Sequence, residues 1–579
     1  MIAPLPSVAT PGGLLLAMSV LVPFLGVLAG FVLGGRHAQR VTLLTLPLGL
    51  GIALMTASAQ VSSGAPLVYL LGGWAPPLGV ALRADTLAVA MMAVVAVVMC
   101  GIGLYACADF GTPAGQTEVR APFTFWLLLP AVWGSLNLVF VSGDLFTLYV
   151  ALELMTFAGV PLVCLDGRGE TLRAALRYLL FALLGSLFYL LGAVLLYGGY
   201  GTLDIALLGA SIRPGPVAWA AAALMTVGLL AKTALFPLHI WLPPAHAGAP
   251  AAASAVLSAL VIKGSWFLVV RLWFDVMPGV VTLPAAQLLG GLGATAIVVG
   301  SVVALRQQRL KLLVAYSTMA QIGYLFLMFP LAFDASGHLV RGAALDGGLL
   351  QACAHATAKA GMFMAAGLIY AALGHDRIAD LAGVARAMPV TVLAFGVAGL
   401  ALMGVVPSGA YLAKKLLLGA ADSSGQWWWT AVLQGGAAFT AGYVVLVLNR
   451  VLRRPAAPPV LVKRVARTSE FVALGLALCS LALAGAALGP VSGDLVSNPL
   501  KPAELGSTLT VVLGGVVLAL AFSRQSLFAA GDGSLRRVTL ALAGGFERLD
   551  ASVRRWPAAS LLLLTLAALF GGLMAGAAR

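Results

Sequence analysis

The chain has 579 residues, of which 61% are hydrophobic and 9% charged, and its 34 Lys and Arg against 20 Asp and Glu give a net charge of +14. A soluble globular domain sits nearer half apolar and a quarter charged, so this composition excludes a soluble enzyme. The positive charge does not mark a nucleic-acid binder either, because it is gathered into short connections between apolar runs.

Those runs recur from end to end at about twenty residues each, long enough to cross a hydrocarbon core roughly 30 Å thick. They are continuous rather than alternating, which predicts helices and excludes a membrane β-barrel. The expected fold class is an all-α polytopic membrane protein with about 14–16 transmembrane helices. The opening MIAPLPSVATPGG lacks the basic start of a secretory signal, so the apolar run after it reads as the first span. Predicted helices follow at 14–34, 41–62, 83–107, 123–142, 144–166, 174–199, 217–242, 250–273, 281–305, 310–332, 349–373, 388–418, 429–451, 470–490, 508–524 and 556–576.

Lys and Arg collect at connections that follow odd-numbered helices. The largest clusters are Arg450, Arg453, Arg454, Lys463, Arg464, Arg467 and Arg524, Arg536, Arg537, Arg548, Arg554, Arg555. The positive-inside bias predicts that both termini lie outside the cytoplasm, with anionic lipid as a partner of the basic loops. GDGSLRRVTLALAGGFERLDASVRRWP, near 534–556, alternates basic and apolar residues and reads as an interfacial helix on the cytoplasmic face, or as a contact with a neighbouring subunit. The five cysteines, Cys100, Cys107, Cys164, Cys353 and Cys479, form no CxxC pair, so no zinc or iron–sulfur site is expected. No phosphate loop or dinucleotide fingerprint appears, and no cofactor is expected.

Polar residues interrupt the spans where water is not expected. Charged groups in hydrocarbon usually mark an ion path or a pair, and the alternative for a single lysine is snorkelling to the headgroups. Depth decides between them. In SGDLFTLYVALELMTFAGVPLVCL, Asp144 opens the helix as an N-cap, while Glu153 lies nine residues on, about 13.5 Å further in. A carboxylate there must take a proton or find a cation, and Lys232 is the natural candidate. Lys232 and Lys263 bracket AKTALFPLHIWLPPAHAGAPAAASAVLSALVIKG; Lys263 stands eight residues before Arg271, roughly 12 Å inside the span. Lys359 is eleven residues beyond Gly348, about 16 Å deep, and Lys414 eight short of Asp422, about 12 Å deep. Four lysines near mid-depth make snorkelling a poor common explanation.

His355 and Lys359 in QACAHATAKAGMF sit at i and i+4, on one helical face, which turns a lone intramembrane histidine toward a relay role. His239 lies beside a proline-rich break, and His246 reads equally well as a loop residue at the membrane surface. A Lys–Glu pair that opens and closes lets the lysine alternately hold and release a proton.

The helices that carry these residues look broken. Pro237, Pro243 and Pro244 follow Lys232, and Gly404, Pro407 and Gly409 precede Lys414. Unwound backbone at membrane depth is tolerated only inside protein or along a hydrated cavity. Breaks in corresponding places of two halves are a mark of inverted-repeat transporters. The expected organisation is therefore N-terminal helices over 1–122, a five-helix repeat over 123–273, a second and inverted one over 281–451, and C-terminal helices over 452–579. The second half has no acid matching Glu153.

Taken together these stretches resemble the antiporter-like proton-channel subunits shared by respiratory complex I, Mrp-type Na+/H+ antiporters and membrane-bound hydrogenases. The resemblance is carried by GDLFTLYVALE, AKTALFPLHIWLPPAHAGAPAAASAVLSALVIKG, LKLLVAYSTMAQIGYLFL, HATAKAGMF, IADLAGVARAMP and GVVPSGAYLAK. It implies a proton pathway through Glu153, Lys232, His239, Lys263, His355, Lys359 and Lys414, with Glu153 gating Lys232 and Lys414 at the exit. The usual WLPDAH reads WLPPAH, so Pro244 replaces an acidic residue, and the paired prolines before SG read Val406-Pro407. The resemblance further implies a bacterial inner membrane, other membrane subunits as partners, protons with or without Na+ as cargo, and no catalysis by this chain alone. A membrane anchor for a cytoplasmic enzyme and a stand-alone secondary transporter are the rival readings.

Overall fold

The computed structural model describes residues 9–112, 119–455, 459–486, 502–522 and 534–576. Among them, 14 helices are long and apolar enough to cross a membrane, and two shorter apolar helices, Pro389–Leu402 and Gly506–Phe522, fill the remaining predicted positions. The chain is a multi-pass helical membrane protein. Burial is uneven among the spans. Ala251–Val276 and Leu310–Leu331 are wrapped almost wholly by protein, whereas Leu14–Leu33, Arg467–Gly485 and Trp556–Gly576 turn most of their surface outward. Lys263 lies on the first of the wrapped helices, and His355 and Lys359 lie on Ala343–Leu373, which is also largely enclosed by protein.

A short ribbon has no counterpart in the predicted elements. Leu67–Leu70 and Ala81–Ala84 pair as two antiparallel strands with Leu67 opposite Ala84. Each strand is four residues long, too short for a periodicity to show.

Both expected breaks are present. The Pro216–Thr233 helix ends at Ala234, which is in the left-handed region (φ 57, ψ 37) and is the one residue other than glycine with positive φ among the described residues. That conformation costs an L-residue about 1–2 kcal/mol, so the surroundings must hold it. The chain then runs irregularly to a short helix, Leu242–Gly248. The second break separates Pro389–Leu402 from Gly409–Ser423. Gly404 turns the chain with φ 64, and the Ser408 hydroxyl restarts the helix by accepting the Tyr411 N–H at 3.1 Å.

Contacts divide the chain into two compact units, the first of residues 1–234, 248–286 and 560–579 and the second of 235–247 and 287–559. In the first, Gly169–Tyr200 packs along Pro216–Thr233 and crosses it where Gly185 meets Gly228. A Cβ on Gly228 would lie 2.3 Å from the Gly185 carbonyl oxygen, so the backbones touch only because both residues are glycine. Arg271 anchors the far end of Ala251–Val276. Its guanidinium bonds both oxygens of Asp85 at 2.6 Å and Asp275 at 2.9 Å, and Asp85 also caps Thr86–Ala106 by accepting the Ala88 N–H.

In the second unit, Leu283–Leu305 and Leu310–Leu331 make a similar glycine crossing, with a Cβ on Gly323 2.3 Å from the Gly293 carbonyl. Ala343–Leu373 begins six residues before the predicted 349, which sets Lys359 near the middle of a 31-residue helix. The predicted amphipathic segment is a helix, Ser534–Val553, tied in by an Arg306–Glu547 ion pair at 3.1 Å.

Candidate functional site

The first unit builds its site around Lys232. Because the helix stops one residue later, Lys232 sits at a helix C-terminus, where unpaired carbonyls favour a cation. Its side chain is 3% exposed. The ammonium donates to Ser186 Oγ at 2.5 Å, Thr156 Oγ1 at 2.9 Å, Glu153 Oε1 at 3.3 Å and the Leu152 carbonyl at 3.4 Å. An ammonium has three donors, so these four acceptors cannot all be served at once. The contacts to Glu153 and Leu152 are the longest of the four, and the two hydroxyls are the nearest acceptors. Glu153 lies at the middle of Leu145–Val163, and Asp144 caps that helix by accepting the Thr147 N–H at 2.7 Å. The sequence-based pairing of Glu153 with Lys232 is therefore a real contact.

The Gly185–Gly228 crossing brings Ser186 within reach of Lys232. Gly228→Val should separate the helices and cost about 1–3 kcal/mol. A lower thermal melting midpoint in detergent would read this out. Gly198→Val, in open space on the helix that carries Gly185, should leave the midpoint in place, and equal melting of both variants would show that the close crossing is not required.

Lys263 stands at the centre of Ala251–Val276 and is fully buried. The helix is π-helical over Leu257–Val261, directly before it, and again over Leu272–Val276. The Lys263 ammonium folds back onto the Ser258 carbonyl, five residues earlier, at 2.6 Å. Wide turns of this kind interrupt the regular i→i−4 ladder and occur frequently at functional sites.

In the second unit, His355 and Lys359 share a face of Ala343–Leu373 and are fully buried. Lys359 donates to the Ser317 hydroxyl and to the Val314 carbonyl at 3.2 Å. One turn beyond Ser317 on the same helix lies a second set of polar groups. Gln321 donates to Thr440 at 3.1 Å and to the Tyr443 hydroxyl at 3.4 Å, and Gln351 donates to the Gln321 oxygen at 3.3 Å. Gln351, Tyr324 and Lys414 line a cavity of about 20 Å³, room for roughly one water. Lys414 is half-buried, one turn into the helix that follows the break.

His246, for which a loop position at the membrane surface is one of two equal readings, lies inside the protein. It is fully buried, stacks on Phe363 with ring centroids 4.8 Å apart, and is within electrostatic reach of Lys311 and Lys359. Phe363 is one turn beyond Lys359, so His246 joins the same neighbourhood.

His239 is fully buried, and its Nε2 stands 2.8 Å from Oδ1 of Asp550, on the amphipathic helix. Sequence reasoning finds Glu153 as the one deep acid. Asp550 is one of three buried acids among the described residues, with Asp204 and Asp376, and is missed because its segment reads as a surface helix. Burial pushes the Asp550 carboxyl up, but hydrogen bonding and charge from His239, with Arg554 and Tyr316, outweigh it and hold the group below the ordinary carboxylate range.

Broken helices with buried lysines near mid-span, each held by hydroxyls, carbonyls or a carboxylate, define a membrane protein that handles charge inside its own core. A family model described as NADH:quinone oxidoreductase/Mrp antiporter, TM matches residues 142–440, just over half of the chain. The chain belongs to that family. The NADH-quinone oxidoreductase subunit N of Desulforudis audaxviator is 34% identical over 66% of this chain and 76% of its own length. A subunit of the Na(+)/H(+) antiporter of Alkalihalophilus pseudofirmus is 27% identical over 70% of this chain and 80% of its own. Among solved structures, a chain of the Mrp complex from Dietzia sp. DQ12-45-1b superposes with a TM-score of 0.71 at 23% identity, over 88% of this chain and 98% of that one, a likeness of fold.

Proposed function

We propose that the chain is a proton-translocating subunit of a multisubunit cation/proton antiporter or complex I-like assembly in a bacterial inner membrane, with both termini outside the cytoplasm. The observation that carries the reading is the Lys232 ammonium, buried at a helix break with four acceptors, Glu153, Thr156, Ser186 and the Leu152 carbonyl, for its three donors. A purely structural ion pair has no use for a surplus of acceptors. Relatives named as subunits of NADH-quinone oxidoreductase and of a Na(+)/H(+) antiporter support it.

In this reading protons from the cytoplasm load Lys232 or Lys263, with Glu153 as the gate. They pass His239 and the His355–Lys359 pair and leave by Lys414. The stretches 123–273 and 281–451 act as inverted repeats, a reading supported by one helix break in each. The energies are commensurate. Moving one charge through 100 mV involves about 2.3 kcal/mol, and a hydrogen bond to a charged group contributes about 1.5–3 kcal/mol. Exchanging one contact of a lysine is thus enough to favour loading or release. The driving energy, a redox reaction or a gradient of a cation such as Na+, comes from partner subunits.

The test is proton flux by the purified assembly in proteoliposomes, followed with a pH-sensitive dye. Lys414→Ala should slow proton release about tenfold, more than it slows loading. Wild-type rates with the pH gradient set in either direction would remove Lys414 from the path.

A further inference from the structure

Asp550 lies outside the predicted spans and beyond the family-matched residues 142–440, yet it meets His239 beside the first break. Both side chains are almost fully buried. Its other oxygen, Oδ2, accepts the Tyr316 hydroxyl at 2.9 Å from Leu310–Leu331 and lies 2.8 Å from the Arg554 guanidinium. One turn earlier on the same helix, Glu547 is engaged by Arg306. Two donors therefore fix the carboxylate, and Oδ1 is left for the imidazole.

A carboxylate only accepts, so the proton between the two groups belongs to Nε2 and the neutral ring carries its lone pair on Nδ1. Nδ1 is buried and has no hydrogen-bond partner among the described residues. We propose that Asp550 is a positioning residue for proton transfer at His239, pinning the Nε2–H tautomer so that Nδ1 is the accepting atom and balancing the imidazolium when Nδ1 is loaded. A proton arriving at Nδ1 makes the imidazolium, and its departure from Nδ1 to the next acceptor restores the neutral ring; Asp550 stays ionised throughout. The second unit thereby gains a carboxylate in the role that Glu153 has beside Lys232, supplied by the C-terminal amphipathic helix. This assignment rests on the proton-relay reading proposed for the chain.

Asp550→Asn tests it, because an amide can donate to Nε2 and reverse the tautomer without changing size. In the reconstituted assembly, flux should fall about tenfold. The flux–pH curve should also move, a readout that loss of a merely structural contact would leave in place. Asp550→Glu should recover most of the flux, and His239→Gln with Asp550→Asn should be no slower than His239→Gln alone. Glu547→Gln, which loosens the same helix through Arg306, should leave the curve where it is. If Asp550→Asn lowers flux only in step with the amount of assembled complex and leaves the curve unmoved, the carboxylate is merely structural and the assignment falls. Retained flux in Glu153→Gln, measured beside these variants, would instead defeat the relay reading itself.

Discussion

Proteoliposomes carrying the assembly with Glu153→Gln are expected to lose proton flux by about tenfold or more, while assembling as well as wild type. The substitution keeps volume and a hydrogen-bonding carbonyl, and Thr156 and Ser186 still hold the Lys232 ammonium. What disappears is the charge that makes one position of the ammonium better than another. Lys232→Ala removes the exchanging group itself and leaves Glu153 without its cation. Truncating one partner of a buried pair costs about 3–5 kcal/mol, so the second variant should also melt earlier. Flux and melting thus separate the gate from the scaffold: the glutamine should impair the first and spare the second, the alanine should impair both. Near-normal flux in either variant would exclude the pair from the path.

Lys359→Arg is expected to abolish flux while keeping the positive charge. An arginine cannot release its proton in a protein, whereas a lysine can. Lys359 is fully buried and held by Ser317 and the Val314 carbonyl, so the longer side chain costs some packing, and the amount of assembled complex must be measured alongside. If the site served only as a fixed charge that attracts anions or repels cations, arginine would substitute for lysine and flux would persist. That result would reassign Lys359 to electrostatics. A loss of flux in fully assembled complex is the signature of a group that must give up its proton.

The helical spans were legible because a membrane leaves so few solutions: long apolar runs must be helices, and prolines in them must break them. The two breaks, the capping role of Asp144 and the Glu153–Lys232 contact all follow from depth arithmetic and residue type. Gln321, Gln351, Thr440 and Tyr443 were not legible, since neutral polar residues in a helix carry no sign of whether they meet each other or simply bond their own backbone. Asp550 was hidden for a different reason. An alternating basic and apolar segment describes a surface helix correctly, but says nothing about which of its few acids turns inward. The ribbon at Leu67–Leu70 and Ala81–Ala84 was too short to register.

The wide turn over Leu257–Val261 has a consequence for how this helix can vary. In a regular α-helix each added residue swings everything downstream by about 100°, which would rotate Lys263 and Arg271 off their partners. A wide turn absorbs one extra residue locally, so the stretch before it and the stretch after it keep independent rotational phase. The lining upstream of Lys263 is thus free to be remodelled while Trp266 and Arg271 stay aimed as they are.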